Sequence, residues 1–173
     1  MLNNWKSMKH LKLLMVLLIT TALLLSVGCT SSSNSSSSTK VTHPPTITYQ
    51  DQEFISLVQV SINEIVDLLN GILSSAQDYD ADGLMIYGPG LKVASDNYIT
   101  EIEALRVSPA FEQTKINYIK ALEEFSSAGF NYRIGAEYIG KYDYTTAAEY
   151  LDKGSANIDS ASEYIDIVIE SIS

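Results

Sequence analysis

"DQEFISLVQVSINEIVDLLNGILSSAQ", residues 51–77, decides the fold. Within it Ile55, Val58, Ile62, Ile65, Leu69, Ile72 and Ala76 follow one another at spacings of 3, 4, 3, 4, 3 and 4. An α-helix completes a turn in about 3.6 residues, so this spacing keeps the apolar side chains on one face. Held for nearly three heptads, it is the pattern of a helix that packs lengthwise on others. No charge interrupts it, and a helix over 51–77 would be about 40 Å long.

Three further segments come after it. At the C-terminus a second unbroken stripe runs from Ala147 through Leu151, Gly154, Ile158, Ala161 and Ile165 to Ile172. Thr146 and Glu149, at its start, have capping-box spacing. Upstream, Ser108 suits an N-cap, Pro109 a first helical position and Glu112 a first turn where negative charge is favoured. The stripe beyond them includes Phe111, Tyr118, Leu122, Phe125, Tyr132 and Ile139, with Gly129 on the same line. Between these segments and residues 51–77, Leu91, Ala94, Tyr98, Ile102 and Leu105 give one apolar face, with Pro89 fitting its first turn. Residues 78–90 read as irregular, with a short helical turn at 84–87.

Four long amphipathic segments with short connections predict an all-α fold, an up-down-up-down four-helix bundle over residues 50–173. The turn at Lys141–Tyr144 makes the last two helices antiparallel, so residues at one height have a constant sum. Pairing the stripes sets Gly129 opposite Gly154, which predicts a close backbone approach or a pocket filled from one of the first two helices. Ala136 to Tyr150 resembles a tetratricopeptide repeat hairpin, but the 34-residue period does not recur, which argues against a solenoid.

Chemistry has few places to sit. No cysteine follows Cys29, and the second of the two histidines, His43, precedes the helices. Cys–His nucleophiles, Ser–His–Asp triads, His-ligated zinc and haem, and Glu-x-x-His di-metal sites are therefore not expected. No phosphate-loop spacing occurs. The chain is expected not to be an enzyme; one built on Asp, Glu and Tyr alone would need buried carboxylates, and the clear core stripes carry none. One constellation suggests a ligand: Asp78-x-Asp80-x-Asp82-Gly83 matches the first half of an EF-hand loop. Asp78, Asp80, Asp82 and the carbonyl of Leu84 are the candidate Ca²⁺ ligands, and no other cofactor is expected. Position twelve, normally a bidentate Glu, is Pro89, and the bland alternative is a polar turn with Asp82 capping the next segment. A sensor or solute-binding domain would need a pocket, for which Tyr87, Tyr98 and Arg106 are the candidates. The 11 tyrosines otherwise suit a bundle core that keeps its hydroxyls wet.

The N-terminal part says where the protein resides. Lys6, Lys9, His10 and Lys12 precede an apolar run from Leu13 to Val27, followed by Gly28-Cys29. This is the layout of an export signal, and the run is short for a membrane span of roughly 20 residues. Leu25-Ser26-Val27-Gly28-Cys29 resembles the lipobox of prokaryotic lipoproteins, although Ser26 stands where that family prefers Leu. The resemblance implies cleavage after residue 28, a diacylglyceryl group on Cys29 and a location on the outer face of the cell membrane. Residues 29–49 then form a Ser/Thr/Pro-rich tether, too polar to bury a core and similar to those of archaeal surface lipoproteins. Asn34-Ser35-Ser36 within it fits a glycosylation sequon.

Of the formal charge of −10, the part beyond Lys12 holds 8 basic against 21 acidic side chains, a balance of −13. Such a surface repels nucleic acid and suits cations and basic partners. The expected function is a non-catalytic binding or structural module in the cell envelope, with the membrane and an envelope protein as partners.

Overall fold

The computed structural model describes residues 48–172. The expected signal peptide (1–28), Cys29 and most of the tether lie outside the described residues. Four helices occur in order, α1 (Asp51–Gln77), α2 (Ala81–Ala104), α3 (Glu112–Gly140) and α4 (Tyr144–Ile172). The described residues contain no strand, so the fold is all-α and consistent with a helical bundle.

Contacts between helix ends give the directions. The Gln50 N–H donates to the Arg106 carbonyl (2.8 Å), and Thr114 Oγ1 donates to Ser171 Oγ (3.0 Å). Phe54 meets Phe111 edge to face at 6.2 Å. The start of α1, the end of α2, the start of α3 and the end of α4 therefore share one end. At the other end Tyr79, just after α1, meets Tyr144 at the start of α4, with ring centroids 6.1 Å apart. Successive helices pack on each other, α1 on α2, α2 on α3 and α3 on α4, and no comparable packing joins α1 to α4 among the described residues. The ring of four is open along that side.

The core is built from one line of each helix. In α1 the buried line is Phe54, Val58, Ser61, Ile65, Leu69 and Ile72, ending at Ser75. The sequence predicts Ile55, Ile62 and Ala76 in place of Phe54, Ser61 and Ser75, so the helix is turned slightly from the expected face. Two contacts account for the turn. Phe54 is needed against Phe111, and Ser61 is needed beside the buried Tyr118, whose hydroxyl lies 2.6 Å from Ser61 Oγ. Tyr118 is fully buried, and burial pushes its phenol well above the ordinary range. Its hydroxyl has a partner there, which a buried polar atom requires. By length and composition α1 could also cross a bilayer. It carries the carboxylates Glu64 and Asp67 at mid-helix, and α2 packs along it.

Residues 78–90 are a correction to the sequence reading: α2 is continuous from Ala81, with Pro89 inside it. An interior proline removes one backbone donor and crowds the preceding turn. The residue losing its donor is Met85, on the exposed side of the helix at 42% exposure. Next to Pro89 the helix makes its closest approach to α3. A Cβ on Gly129 would sit 2.5 Å from the Gly88 carbonyl oxygen and 2.6 Å from the Lys92 nitrogen. Only a residue without a side chain fits between two backbones so placed.

The same contact corrects the expected glycine layer. Gly129 faces Gly88 of α2, not Gly154 of α4. Gly154 instead receives the ring of Tyr132, 2.9 Å from where its Cβ would stand. The filling side chain comes from α3, not from the first two helices. The start of α3 also differs: the helix begins at Glu112, and Phe111 at its N-cap makes no side-chain cap bond. Ser108 is drawn away, its N–H donating to Asp51 Oδ1 at 2.7 Å. At α4 the cap is Asp143, which accepts from the Thr146 N–H (3.1 Å), in place of the expected Thr146–Glu149 box.

Candidate functional site

Tyr87, Tyr98 and Arg106 do not converge. All three lie on the α1 side of α2 or just past its end, strung along the seam. The Tyr87 ring covers Gly71, 2.5 Å from where a Cβ would be. The Tyr98 hydroxyl donates to Glu64 Oε2 at 2.5 Å. That bond, together with burial, pushes the Tyr98 phenol up to about 12. Arg106 is bound through its backbone to Gln50, and its guanidinium stands 6.0 Å over the Tyr49 ring. Eleven residues of helix separate Tyr87 from Tyr98, about 16 Å, so the three cannot line one small pocket. They fasten α2 to α1 at three heights. Beside Arg106 a shallow, open groove runs between Gln50, Leu57 and Val60 of the α1 side and Glu101 and Leu105 of the α2 side.

The Asp78–Leu84 loop is a turn between helices. Asp80 is the N-cap of α2, its Oδ1 accepting the N–H groups of Asp82 and Gly83 at 3.1 Å each. Leu84 is fully buried one turn into the helix, with its N–H donating to the Asp80 carbonyl. Asp78, Asp80 and Asp82 are all exposed. No group of three or more carboxylates, histidines or cysteines among the described residues is arranged to hold a metal ion. What the sequence presents as half of a cation loop is, in the fold, the end of one helix joined to the cap of the next.

That turn is used twice. Asp78-Tyr79-Asp80 joins α1 to α2, and Lys141-Tyr142-Asp143 joins α3 to α4. After α1, Asp80 N–H donates to the Ser75 carbonyl (2.8 Å) and Tyr79 N–H to Ala76 (3.5 Å). After α3, Asp143 N–H donates to the Tyr138 carbonyl (3.0 Å) and Tyr142 N–H to Ile139 (2.9 Å). Both are Schellman motifs, in which the residue after the cap adopts the left-handed conformation. Tyr79 has φ 51° and Tyr142 has φ 62°, and no other non-glycine described residue has positive φ. Glycine is the residue that takes this position without strain; a side chain there costs on the order of 1–2 kcal/mol. In both turns the aspartate that closes the motif also caps the following helix. The Thr146 N–H holds the Asp143 carboxyl below the ordinary carboxylate range.

The rings at this end are arranged in pairs. Tyr79 and Tyr144 meet edge to face. Tyr138 and Tyr150 stack at 5.8 Å with planes 10° apart. Lys141 lies 5.0 Å over Tyr138 and Lys153 lies 4.4 Å over Tyr150. Tyr142 is 82% exposed, and Tyr79 and Tyr144 about half. The exposed carboxylates of Asp78, Asp82 and Glu149 lie among them in the chain. The legible signal for this site was the Tyr-Asp pair that recurs at the two turns, 63 residues apart. The arrangement offers aromatic faces beside negative charge, and no acid–base pair. Compared with family models, with curated proteins and with solved structures, the chain matches none.

Proposed function

We propose that the protein is an exported lipoprotein, held on the outer face of the cell membrane through Cys29, whose helical part is a non-catalytic binding or structural module of the cell envelope. We read that part as an up-down-up-down bundle carried on the Ser-rich tether of residues 29–49. The observation that carries the reading is the order basic segment, apolar run, Gly28-Cys29, polar tract, with the only cysteine where the lipid would attach. The acidic helical part is in keeping with it. It repels anionic headgroups and stays hydrated above them.

The solute-binding alternative is less favoured, because Tyr87, Tyr98 and Arg106 are spread along a seam and the groove near Arg106 is shallow and open. Intact-mass measurement of protein extracted from the membranes of cells that make it tests the anchor. The expected species begins at Cys29 and carries the mass of a diacylglyceryl group. A chain starting elsewhere, or an unmodified Cys29, ends the proposal.

A further inference from the structure

We infer that the tyrosine end of the helical part, formed by Tyr79, Tyr142 and Tyr144, is a docking surface for a protein segment bearing Arg or Lys side chains.

Three independent observations lead there. First, the tyrosines at the two helix ends stand where folding would favour glycine. Tyr142 has little packing to offset that, because 82% of it is in solvent. A ring kept at such a position at the expense of stability points to contact with something else. Second, the end is held by its own hydrogen bonds and ring contact before any partner arrives. Asp80 and Asp143 each close one helix and cap the next, and the Tyr79–Tyr144 contact ties the two turns together. Tyrosine has few rotatable bonds, so a surface already fixed in place loses little entropy on binding.

Third, charge selects the partner. The chain has 11 basic residues; without Lys6, Lys9, Lys12 and Lys40, seven fall within residues 48–172, against 21 acidic ones. Five of these seven sit over an aromatic ring, at 4.4 to 6.0 Å from its centroid. At the tyrosine end the two nearby lysines cover Tyr138 and Tyr150 in this way. Tyr79, Tyr142 and Tyr144 are left as exposed rings, with the exposed Asp78, Asp82 and Glu149 close to them in the chain. An aromatic face attracts a guanidinium or ammonium group, and neighbouring carboxylates add to the attraction. Tyrosine and arginine are also the residue types that dominate the energetics of protein interfaces.

Placement suits the role. The chain enters α1 beside Arg106, and the tyrosine end lies at the opposite end of α1, a helix of 27 residues and about 40 Å. The binding itself does not rest on the proposed location.

The experiment is a calorimetric titration of the full-length chain in detergent micelles with an acetylated, amidated hexapeptide of alternating Arg and Gly. Saturable binding is expected, weakened roughly tenfold in Tyr79→Gly/Tyr142→Gly by the loss of two ring–cation contacts. Asp159→Asn/Glu163→Gln, which removes two negative charges from the exposed face of α4 and leaves the tyrosines in place, should change affinity less than about twofold at fixed ionic strength. Tyr142→Ser serves as a second variant, with a smaller loss of several-fold. Equal binding by the parent and the double tyrosine variant overturns the inference. So does a larger loss in the α4 variant, which would make the attraction one of net charge alone. Binding of neutral cellohexaose, lost in the double variant while peptide binding is not, would assign the surface to sugars and overturn it as well. An unmodified Cys29 alongside tyrosine-dependent peptide binding would sink the proposed location and leave the docking surface standing.

Discussion

The two ends of the helical part are made differently. At the Arg106 end the polar groups are used within the fold. Gln50 exchanges two hydrogen bonds with the Arg106 backbone, Asp51 accepts the Ser108 N–H, and Lys115 donates to the carbonyls of Glu103 and Leu105. Phe54 and Phe111 close the core beneath them, and Phe54 is fully buried. At the tyrosine end the turns are short and self-contained, and the aromatic surface faces water. One end is finished by its own chain, while the other is ordered and left open. Order without burial separates a surface built for contact from one built for stability.

Substitutions should reveal that contrast. The largest expected effect is at the closed end: Phe54→Ala should destabilise by about 3–5 kcal/mol, the range for deleting a buried aromatic ring. Tyr144→Ala at the other end should cost less than about 1 kcal/mol, since its ring is half in solvent and makes one edge contact. Urea unfolding of both variants checks the ratio. Similar losses would mean the tyrosine end is part of the core. Next in size, Asp51→Ala leaves the Ser108 N–H without its acceptor and should cost about 1–3 kcal/mol. Asp80→Ala, which removes an exposed cap, should cost about 1 kcal/mol.

How much of this was legible in the sequence varies by region. The heptad spacing in residues 51–77 and 147–172 marks long packed helices, because nothing but a helix uses that period. It does not give the rotation of α1, which is set by Phe111 and Tyr118, residues more than fifty positions away. Residues 78–90 misled because Asp, Gly and Pro are turn formers in isolation. Packing of Gly88 against Gly129 and burial of Leu84 override those local preferences and keep the helix whole. The aspartate spacing fits a cation loop and a helix-to-helix turn alike, and the start of α2 at Ala81 makes it a turn whose Asp80 caps the helix. The candidate tyrosines of the solute pocket were on one helix face, but a helix spaces such residues along its axis and does not gather them. The tyrosine end depends on two backbone conformations, which composition cannot show.

Smaller effects concern pH. The Tyr98 phenol, held up at about 12 by its bond to Glu64 and by burial, binds its proton more tightly folded than unfolded. That contribution to stability is complete below about pH 10 and is lost as pH rises toward the folded value. Tyr98→Phe should therefore flatten part of the alkaline limb of a stability–pH curve. Asp143 behaves oppositely. Its carboxyl is lowered by the Thr146 N–H, so its contribution is present above about pH 4 and is lost as pH falls through its folded value. Asp143→Asn, which keeps an acceptor but does not titrate, should flatten the acid limb, as measured by thermal unfolding between about pH 2 and pH 5.

The sharpest measurement is the urea unfolding free energy of Tyr79→Gly/Tyr142→Gly against the parent. If the two rings are held at their positions for contact, releasing them from the left-handed conformation leaves the fold as stable or raises its stability by about 0.5–1 kcal/mol per site, after allowing for the added freedom of glycine in the unfolded chain. A loss of about 2 kcal/mol or more, on the order of a buried core contact, would show that these tyrosines hold the protein together and would contradict the account.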